Sequence, residues 1–386
     1  MRITFYSNFM NHHQEKLSLK LYELTNGKYN FVACTPIEKE RIELGYEDMN
    51  KKYDFIIRPY ENDKQHEKAK QLAIESDVII FGSADKEYLN LRMLYNKLTF
   101  IYSERLFKKG IYRRFVPRTR KKIYNGYVKY KDKNLYVLCS SAYTSYDLSL
   151  CGFPKEKCFK WGYFPDIDIP DIDNILDEKN SREIVWVGRF INWKHPEVVV
   201  KVADKLRRKN KRFHVTMIGN GIDFTKIKHL IERKKLESYI TLTGSIPYED
   251  VNEYMKKASI FLFTSDFQEG WGAVLNEAMS CGCACVASHA IGSVAYLIKH
   301  KHNGYIYRYK NHNIDEICEY VKELLENKEL CITFGKNASH TIANEWNYDV
   351  AATKLIKLSE GLLNKKPITE TEGICSFAQK YINNWL

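Results

Sequence analysis

Residues 260–292, IFLFTSDFQEGWGAVLNEAMSCGCACVASHAIG, carry the pattern that decides the fold. The apolar run 260–263 at the start predicts a short buried strand. A polar loop and the turn Gly270-Trp271-Gly272 follow, and residues 273–279 have the composition of a helix. A glycine ends this helix, and residues 283–287 are apolar enough to form the next strand. Strand, glycine turn, helix and strand in this order predict one βαβ unit of a parallel sheet.

Two carboxylates in this stretch stand eight positions apart. Glu269 precedes the predicted helix and Glu277 lies about two turns into it, so both fall near one face, roughly 12 Å apart along the axis. The N-terminus of the helix lies between them, and its free N–H groups favour an anion. A ligand with hydroxyls at both ends and phosphates between, such as a nucleotide sugar, fits this array. Alternatively, Glu269 is an electrostatic cap and Glu277 lies on a solvated face.

Strands alternate with helices along most of the chain. The predicted strands lie at residues 2–6, 31–34, 55–57, 77–82, 98–102 and 135–139 in the first half, and at 184–188, 214–219, 239–242, 260–263 and 283–287 in the second. Such alternation indicates parallel sheets covered on both faces by helices. Between the two sets, the acidic and proline-broken residues 166–173 predict a linker.

We therefore predict an α/β fold of two Rossmann-like, doubly wound parallel-sheet domains that face a cleft. Two domains are also expected because 386 residues exceed the size at which one core usually keeps growing. The first domain is expected to span residues 1–168 and the second residues 183–362. A final helix over residues 370–386, with apolar side chains on one side, is expected to pack back on the first domain.

Composition narrows the class of protein. The apolar runs are at most four or five residues long, so no membrane-spanning helix is predicted, and the polar Ser7 and Asn8 follow the first strand where a signal peptide would stay apolar. The ten cysteines contain no Cys-x-x-Cys pair, which favours reduced thiols in a cytosolic protein over disulfides or a zinc site. We predict no structural metal.

The positive charge is concentrated in one segment. Residues 105–133 contain twelve Lys or Arg and a single acid, a net charge of +11 where the whole chain carries +12. Aromatic and aliphatic side chains are interleaved with these cations, as at a membrane interface. We predict that Lys108, Lys109, Arg113 and Arg114 bind an anionic membrane surface. A solvated basic surface without a partner is the alternative interpretation.

Further motifs follow the strands of the second set. Arg189 and Lys194 leave the carboxyl end of a strand, where ligands of open sheets bind, and two cations there could neutralise a diphosphate. Gly219-Asn220-Gly221 ends the next strand and permits close approach of a base or ribose, and Gly244 ends the strand after it. Each motif alone is weak evidence of a ligand site. Most cation pairs such as Arg189 and Lys194 are solvated loop residues.

Together and in this order, the motifs closely resemble the C-terminal domain of family-4 glycosyltransferases, which are retaining enzymes of the GT-B fold. The resemblance covers residues 184–346 in detail, and the first half of the chain matches in architecture only. The matching motifs are Gly188-Arg189 with Lys194, the glycines at positions 219, 221 and 244, the segment 269–278, Asn303-Gly304 and Trp346.

The resemblance implies a role for each matching residue. Arg189 and Lys194 would hold the donor's diphosphate and stabilise the charge that grows on it as the sugar departs. Glu277 would accept hydrogen bonds from the ribose, and Glu269 would bind the transferred sugar and support its oxocarbenium-like transition state. Further donor contacts are implied for Gly219, Asn220, Gly221, Gly244, Gly270, Trp271, Gly272 and Ala273. Such enzymes need no metal or other cofactor.

The implied activity is retaining transfer of a hexose from a nucleotide-diphosphate sugar, with UDP favoured and GDP second. The implied acceptor is a glycan or glycolipid hydroxyl. By analogy with relatives, we expect a lipid-linked acceptor in bacterial surface polysaccharide synthesis. The enzyme is then expected in the cytoplasm, peripheral on the inner face of the cell membrane.

Two departures from the family's pattern concern the sugar. Ser293 and Tyr296 stand where the family usually has a second glycine and a glutamate. Ser103-Glu104 stands where most members have a histidine at the end of a strand of the first domain.

The first domain offers its own candidates. His12 and His13 lie in the polar loop predicted after the first strand, and either is a candidate catalytic hydrogen-bonding group or base. Asn11 and Glu104 are candidates for acceptor binding. A loop histidine satisfied by the backbone is the alternative interpretation.

Two other functions remain open. A GT-B sugar phosphorylase or hydrolase would use phosphate or water as acceptor and would consume the donor alone. A basic nucleic-acid-binding protein would also account for the charged segment. Because no zinc-finger, helix-turn-helix or RNA-binding aromatic motif occurs in the sequence, we expect no nucleic-acid partner.

Overall fold

The computed structural model describes residues 1–37, 47–167, 172–310 and 313–386. These residues form two compact domains. The first combines Met1–Asp166 with Asn347–Ile382, and the second combines Ile167–Trp346 with Asn383–Leu386.

A parallel sheet of seven strands forms the centre of the first domain, as far as the described residues show. The strands are β1 (Ile3–Ser7), β2 (Tyr29–Ala33), β3 (Ile56–Ile57), β4 (Val78–Phe81), β5 (Thr99–Ser103), β6 (Leu135–Cys139) and β7 (Cys158–Lys160). The helices among them are α1 (His12–Leu24), α2 (Asp63–Glu75), α3 (Lys86–Leu94), α4 (Pro117–Gly126) and α5 (Thr144–Ser149). The order across the sheet is β3-β2-β1-β4-β5-β6-β7.

The described residues of the second domain contain a parallel sheet of six strands. The strands are β8 (Asn180–Val187), β9 (His214–Ile218), β10 (Ile240–Gly244), β11 (Ala258–Phe263), β12 (Ala284–Ser288) and β13 (Gly304–Tyr307). The helices are α6 (Ile172–Glu178), α7 (Pro196–Arg208), α8 (Phe224–Lys234), α9 (Tyr248–Lys257), α10 (Val274–Ser280), α11 (Val294–Leu297), α12 (Ile314–Glu326) and α13 (Lys328–Asn344). The order is β10-β9-β8-β11-β12-β13.

Most strands of the two sheets are buried on both faces, which explains their continuous apolar runs, whereas the edge strand β10 is mainly half-buried. All six residues of β11 are buried. In the second domain, Ile260 and Leu262 of this strand pack in one core with Ile184 and Trp186 of β8 and Val199 of α7. Burying each such aliphatic side chain stabilises the fold by about 1.5–3 kcal/mol. The predicted fold of two Rossmann-like parallel-sheet domains is confirmed.

In each sheet, the order in which strands are added reverses at one point between two neighbouring strands. The first sheet grows from β1 to β3 and then restarts on the other side with β4, and the second grows from β8 to β10 and restarts with β11. Ligands of open α/β sheets bind outside the carboxyl ends of the strands at such a switch point. These ends are Ser7 and Phe81 in the first domain, and Val187 and Phe263 in the second.

The predicted terminal helix over residues 370–386 is wrong. Cys375 N–H donates to the carbonyl of Lys160 at 2.9 Å, and Ala378 N–H donates to that of Cys158 at 2.8 Å. The segment therefore lies antiparallel along β7, at the edge of the first sheet. Cys375 has a φ of 64°, which no α-helix accommodates. Hydrogen bonds to a neighbouring strand replace those that a helix would make within itself.

Helix α14 (Tyr348–Leu363) groups with the first domain, whereas the predicted second domain extends to residue 362. An ion pair of 3.3 Å between Lys20 and Asp349 joins it to α1. Residues 168–171 of the predicted linker lie outside the described residues, and α6 begins at Ile172.

The sequence did not predict α13, a helix of 17 residues. Gly335 in its middle packs so closely on the main chain that an added Cβ would lie 2.2 Å from the carbonyl oxygen of Gly282. A glycine in a helix usually lowers helix propensity, and here it is needed for close packing.

Candidate active site

Two predicted catalytic residues meet at the switch point of the second sheet. Lys194 ends a short 3-10 turn after β8, and its Nζ forms an ion pair with Oε2 of Glu269, in the loop after β11. The side chains are only 13% and 14% exposed. Ser265 Oγ donates to the same oxygen of Glu269 at 2.9 Å. Glu269 is therefore held mainly by Lys194 and Ser265, and capping of the helix is not its main interaction.

The two loops are held together by main-chain and side-chain hydrogen bonds. The buried Trp186 donates from Nε1 to Thr264 Oγ1 at 2.9 Å, and this hydroxyl donates to the carbonyl of Lys194 at 2.6 Å. Asp266 N–H donates to the carbonyl of Trp193 at 2.9 Å. The loop after β8 is thereby fixed against the loop after β11, which positions Lys194 opposite Glu269.

His195 is a third cation at this place, and sequence reasoning missed it. Its Nε2 lies 3.2 Å from Oδ2 of Asp266, and its Nδ1 lies 3.0 Å from Oε1 of Glu197. Burial by itself lowers the pKa of His195, but the bonds to Asp266 and Glu197 outweigh it and raise the pKa to about 9. His195 is therefore charged at neutral pH. The sequence signal that could have identified His195 is its position, directly after Lys194 and before the proline that begins α7.

Arg189 is exposed at the carboxyl end of β8. Its guanidinium lies 5.5 Å from the ring centre of Trp193. No carboxylate of the described residues forms an ion pair with it. The structure therefore leaves this cation available to an anionic ligand.

Glu277 lies one turn into α10, not two turns, because the helix begins only at Val274. Its side chain is buried, with the residue 8% exposed, and no side chain of the described residues forms a hydrogen bond or ion pair with its carboxylate. Burial raises the pKa of Glu277 to about 7. The alternative of a solvated helix face is wrong for this residue. A buried carboxylate without a partner is costly, which indicates a site for a hydrogen-bond donor that a ligand supplies.

The glycines of the motifs permit close main-chain contacts. Gly219 has a φ of 128°, and a Cβ there would lie 2.1 Å from the carbonyl oxygen of Gly188. Its N–H donates to the carbonyl of Gly244 at 2.9 Å, so the ends of β8, β9 and β10 contact one another through main-chain atoms. Gly272 has a φ of 85°, and a Cβ there would lie 2.5 Å from the ring of Phe263.

Tyr296, one of the positions that depart from the family's pattern, belongs to an aromatic cluster. Trp271 is completely buried and donates from Nε1 to Asn276 Oδ1 at 2.9 Å. The ring of Tyr296 stacks on that of Trp346 with centres 5.6 Å apart, and Trp271 packs against both. The side chain of Trp271 is thus part of the core, and only its main chain is placed for donor contacts.

The remaining donor candidates lie in the same loops. Asn220 is exposed, and its Oδ1 accepts from Gly221 N–H at 2.7 Å, which orders the loop after β9. Gly270 is buried in the loop before α10, and Ala273 is the N-cap of that helix.

The candidates of the first domain line one cavity of about 920 Å³. Helix α1 begins at His12, so His12 and His13 lie in its first turn and not in a loop as predicted. The Asn11 side chain caps the helix by accepting from His13 N–H at 3.0 Å. Burial, and then the neighbouring His12, lower the pKa of His13 to about 4. The imidazole of His13 is therefore neutral at physiological pH.

Glu104 lines the same cavity and is held by two partners. Tyr163 OH donates to its Oε1 at 2.6 Å, and Lys108 Nζ forms an ion pair with its Oε2. Lys108, one of the four cations predicted to bind a membrane, is therefore engaged within the protein.

The other three predicted membrane cations remain at the surface. Lys109 is exposed, and Arg113 and Arg114 are half-buried in a 3-10 turn, Ile111–Phe115, that precedes α4. The aromatic rings of Tyr112 and Phe115 in this turn are each 66% exposed.

All ten cysteines are free thiols, as predicted. No cluster of three or more His, Cys, Asp or Glu side chains that could hold a metal ion occurs within the described ranges. In the same part of the chain, no helix has the length and apolar character needed to cross a bilayer.

Comparison with known proteins finds sequence similarity in the second domain. Residues 168–341 match the family model described as Glycosyl transferases group 1. An uncharacterized glycosyltransferase of Methanocaldococcus jannaschii is 27% identical over 206 residues, which are 51% of this chain and 52% of the relative. The GPI3 subunit of the phosphatidylinositol N-acetylglucosaminyltransferase of Saccharomyces cerevisiae is 28% identical over 117 residues, 30% of this chain and 26% of the relative. The chain thus spans about half the length of these relatives, or less.

The structure of Anabaena HepE in complex with UDP superposes on the chain with a TM-score of 0.69. The superposition covers 94% of this chain and 100% of HepE, at 15% sequence identity. The fold is GT-B. In this GT-B chain, the Lys194–Glu269 pair and Glu277 lie within the segment that matches the group 1 family model.

Proposed function

We propose that this protein is a retaining glycosyltransferase that moves a hexose from a nucleotide-diphosphate sugar to a hydroxyl of a lipid-linked glycan. One observation carries the proposal: the buried Glu277 has no partner among the described residues, and it lies in the same domain as the Lys194–Glu269 pair at the switch point. The match of this domain to glycosyl transferases group 1 supports the activity. The UDP bound to HepE supports UDP as the nucleotide.

Donor binding would rearrange the ion pair. Lys194 and Arg189 are placed to bind the diphosphate, since one lies at the switch point and the other has no carboxylate partner in the described structure. When a phosphate of the donor forms an ion pair with Lys194 in place of Glu269, the carboxylate of Glu269 becomes available to accept hydrogen bonds from the sugar hydroxyls. Glu277 accepts from the ribose hydroxyls, which supplies the donors that its carboxylate lacks.

Transfer would depend on stabilising the leaving group. As the bond between the sugar and the diphosphate breaks, negative charge grows on the diphosphate, and Arg189, Lys194 and the protonated His195 stabilise it. Because cations of the protein supply this stabilisation, the proposed reaction requires no metal or other cofactor. The oxygen of the acceptor hydroxyl then bonds to the anomeric carbon, its proton passes to the departing diphosphate, and the donor's anomeric configuration is kept.

The proposed acceptor is supported by the name of one relative and by a basic surface segment of the first domain. The name of the yeast GPI3 subunit places phosphatidylinositol among the substrates of a relative, which supports a lipid-linked acceptor here. With the basic segment 105–133, this supports a cytoplasmic enzyme peripheral on the inner face of a membrane. Synthesis of a bacterial surface polysaccharide is the pathway that we propose.

The nucleotide assignment is tested by thermal stabilisation and by two variants. A panel of nucleotide sugars should raise the melting midpoint only for the genuine donor, through mass action. Glu277→Ala should weaken nucleotide binding by about 1.5–3 kcal/mol, the usual contribution of a hydrogen bond to a charged group. Glu269→Ala should lower turnover more than nucleotide affinity. Glu249→Ala, at an exposed position in α9, is the matched control.

Three results would contradict the proposal. Wild-type kinetics in both Glu277→Ala and Glu269→Ala would remove the site assignment. An inverted anomeric centre in the product, measured by NMR, would exclude a retaining enzyme. Full consumption of the donor without any acceptor would instead indicate a hydrolase, or a phosphorylase where phosphate is needed.

A further inference from the structure

Residues 383–386 belong to the second domain, where they lie against the loops that follow β12 and β13. The main-chain carbonyl oxygen of Asn383 is 2.9 Å from Nε2 of His289, the first residue after β12. Arg308, the first residue after β13, donates to the main-chain carbonyl of Leu386. Residues 383–386 are thus bound at both ends, each time through a main-chain carbonyl.

The ring of His289 is fixed in its orientation and in its tautomer. His289 is buried, and the ring of Trp385 packs against it with centres 6.0 Å apart. The N–H of Tyr309 donates to Nδ1 of His289 at 2.8 Å. Because the carbonyl of Asn383 only accepts, the ring proton lies on Nε2 and points at it. Burial lowers the pKa of His289, which favours the neutral form that both bonds require.

Phe267 connects His289 with the turn that carries Glu269. The ring of Phe267 meets the ring of His289 edge-on with centres 5.6 Å apart, and it meets the ring of Tyr309 edge-on at the same distance. Phe267 lies inside the turn that is closed by a bond of 3.0 Å from Glu269 N–H to the carbonyl of Asp266. The turn is therefore held by the loop after β8 on one side and by two aromatic contacts on the other.

Tyr309 also contacts the histidine of the candidate site. Its ring centre lies 5.8 Å from that of His195. The groups that face His195 are the carboxylates of Asp266 and Glu197 and the ring of Tyr309, and Lys194 precedes it in the chain. Since Asp266 is the first residue of the turn, its bond to His195 depends on how firmly the turn is held.

We propose that His289 is a positioning residue of the donor site and that residues 383–386 hold it in place. Through the two rings that it contacts or bonds, His289 keeps Asp266 bonded to His195 and so maintains a positive charge for the donor's diphosphate. The identity of this anion rests on the proposed function.

Two variants remove the support and leave the donor-site residues unchanged. Trp385→Ala removes the ring that packs on His289, and deletion of residues 383–386 removes the main-chain contacts as well. Two further variants are matched controls. Trp385→Phe keeps a ring in contact with His289, and Asn384→Ala replaces the exposed neighbouring side chain. Both controls should behave like wild type.

The first measurement is a pH titration of His195 by NMR of histidine-labelled protein without nucleotide, with His195→Gln to assign the signal. Wild type should titrate at about pH 9. Trp385→Ala and the deletion should lower this midpoint by about one to two pH units, because the bond to Asp266 weakens while Glu197 remains. Hydrogen exchange at residues 266–269 should become faster. An unchanged midpoint in both variants overturns the proposal.

The second measurement is the affinity for UDP, by isothermal titration calorimetry at about pH 6 and about pH 8.5. At the higher pH, Trp385→Ala and the deletion should bind UDP up to about tenfold more weakly than wild type, because His195 is largely neutral in them. At the lower pH they should bind like wild type, because His195 is then protonated in every protein. His289→Ala should show the same pattern.

The two pH values separate positioning from a merely structural role. Equal weakening of UDP binding at both values would show that residues 383–386 only stabilise the domain, and it would overturn the proposal. Binding at the lower pH also shows that the variants are folded. If wild type bound no UDP at all, the proposed function would fail, whereas a lowered His195 midpoint in the deletion variant would still support the positioning role.

Discussion

Glu277 shows what a single residue reveals about the site. A carboxylate is rarely buried without a partner, because removing its charge from water is costly. The protein tolerates this cost in the described structure, and burial raises the pKa of Glu277 to about 7. We interpret this cost as the consequence of a binding site that is complete only when a ligand supplies a hydrogen-bond donor to this carboxylate.

The first prediction at this scale is a pH-dependent stability. The unfolded chain has an ordinary glutamate pKa of about 4.3, so between that pH and about 7 the folded state binds the proton more tightly. Stability should therefore fall as pH rises through this window, by up to about 1.4 kcal/mol per pH unit, and level off above it. Glu277→Gln removes this loss, so the variant should gain stability relative to wild type from pH 5 to 8.

Urea unfolding at pH 5, 6, 7 and 8 measures the difference between the two proteins. Glu249→Gln, an exposed substitution in α9, should follow wild type at every pH. A difference between Glu277→Gln and wild type that stays constant across the series would show that Glu277 does not titrate in this range.

At the scale of elements, the basic segment separates into a buried part and a surface part. Arg105 is fully buried and pairs with Asp147 at 3.4 Å, and Phe107 is buried as well. The following 3-10 turn instead exposes Tyr112 and Phe115 beside Lys109, Arg113 and Arg114. A turn with exposed rings and cations is the part of the segment that suits a lipid headgroup region.

We predict that this turn binds anionic vesicles. Each cation near an anionic surface contributes about 1 kcal/mol, so the triple variant Lys109→Gln, Arg113→Gln, Arg114→Gln should bind on the order of a hundredfold more weakly. Binding of wild type should also decrease with added salt. Co-sedimentation with phosphatidylglycerol-containing vesicles measures both effects.

The matched control carries the same change of net charge elsewhere. Lys64→Gln, Lys68→Gln and Lys257→Gln replace exposed lysines that form no ion pair with described residues. Equal recovery with neutral and anionic vesicles would contradict the prediction, and so would equal weakening by the two triple variants.

At the scale of the whole molecule, the first domain is built from two separate parts of the chain. The residues after α13 return to the first domain, where α14 packs beside α1 and residues 375–378 extend the sheet at β7. The ring of Phe377 stacks on that of Phe159 with centres 5.3 Å apart. The edge of the first sheet is thus covered by the far end of the chain, which removes unpaired main-chain groups from that edge.

We predict that Ala378→Pro lowers the free energy of unfolding of the first domain, because proline lacks the N–H that donates to the carbonyl of Cys158. The loss should amount to about 1–3 kcal/mol, the cost of an unpaired buried acceptor. Lys380→Pro, at an exposed residue whose N–H donates to no described group, is the control. Hydrogen exchange should become faster at residues 375–378 and along β7 in Ala378→Pro. Unchanged protection there would show that the segment is not part of the sheet.

The sequence alone determined the architecture and most elements of it. Apolar runs followed by amphipathic stretches predicted the sheets and their helices, because burial on two faces or on one face leaves a local pattern. The position of Arg189 and Lys194 directly after an apolar run also placed them at the carboxyl end of a strand. These predictions succeeded because they depend on residues that are near one another in the chain.

Only the tertiary structure decided the partners of these residues and the course of the last segment. The pairing of Lys194 with Glu269 and the isolation of Glu277 depend on loops that the sheet brings together from distant positions. Residues 370–386 have apolar spacing typical of a helix, but Cys375 and Ala378 donate main-chain hydrogen bonds to the edge strand β7 instead. Ion pairs and hydrogen bonds between residues far apart in the chain leave no local pattern, so the spacing of residue types could not predict them.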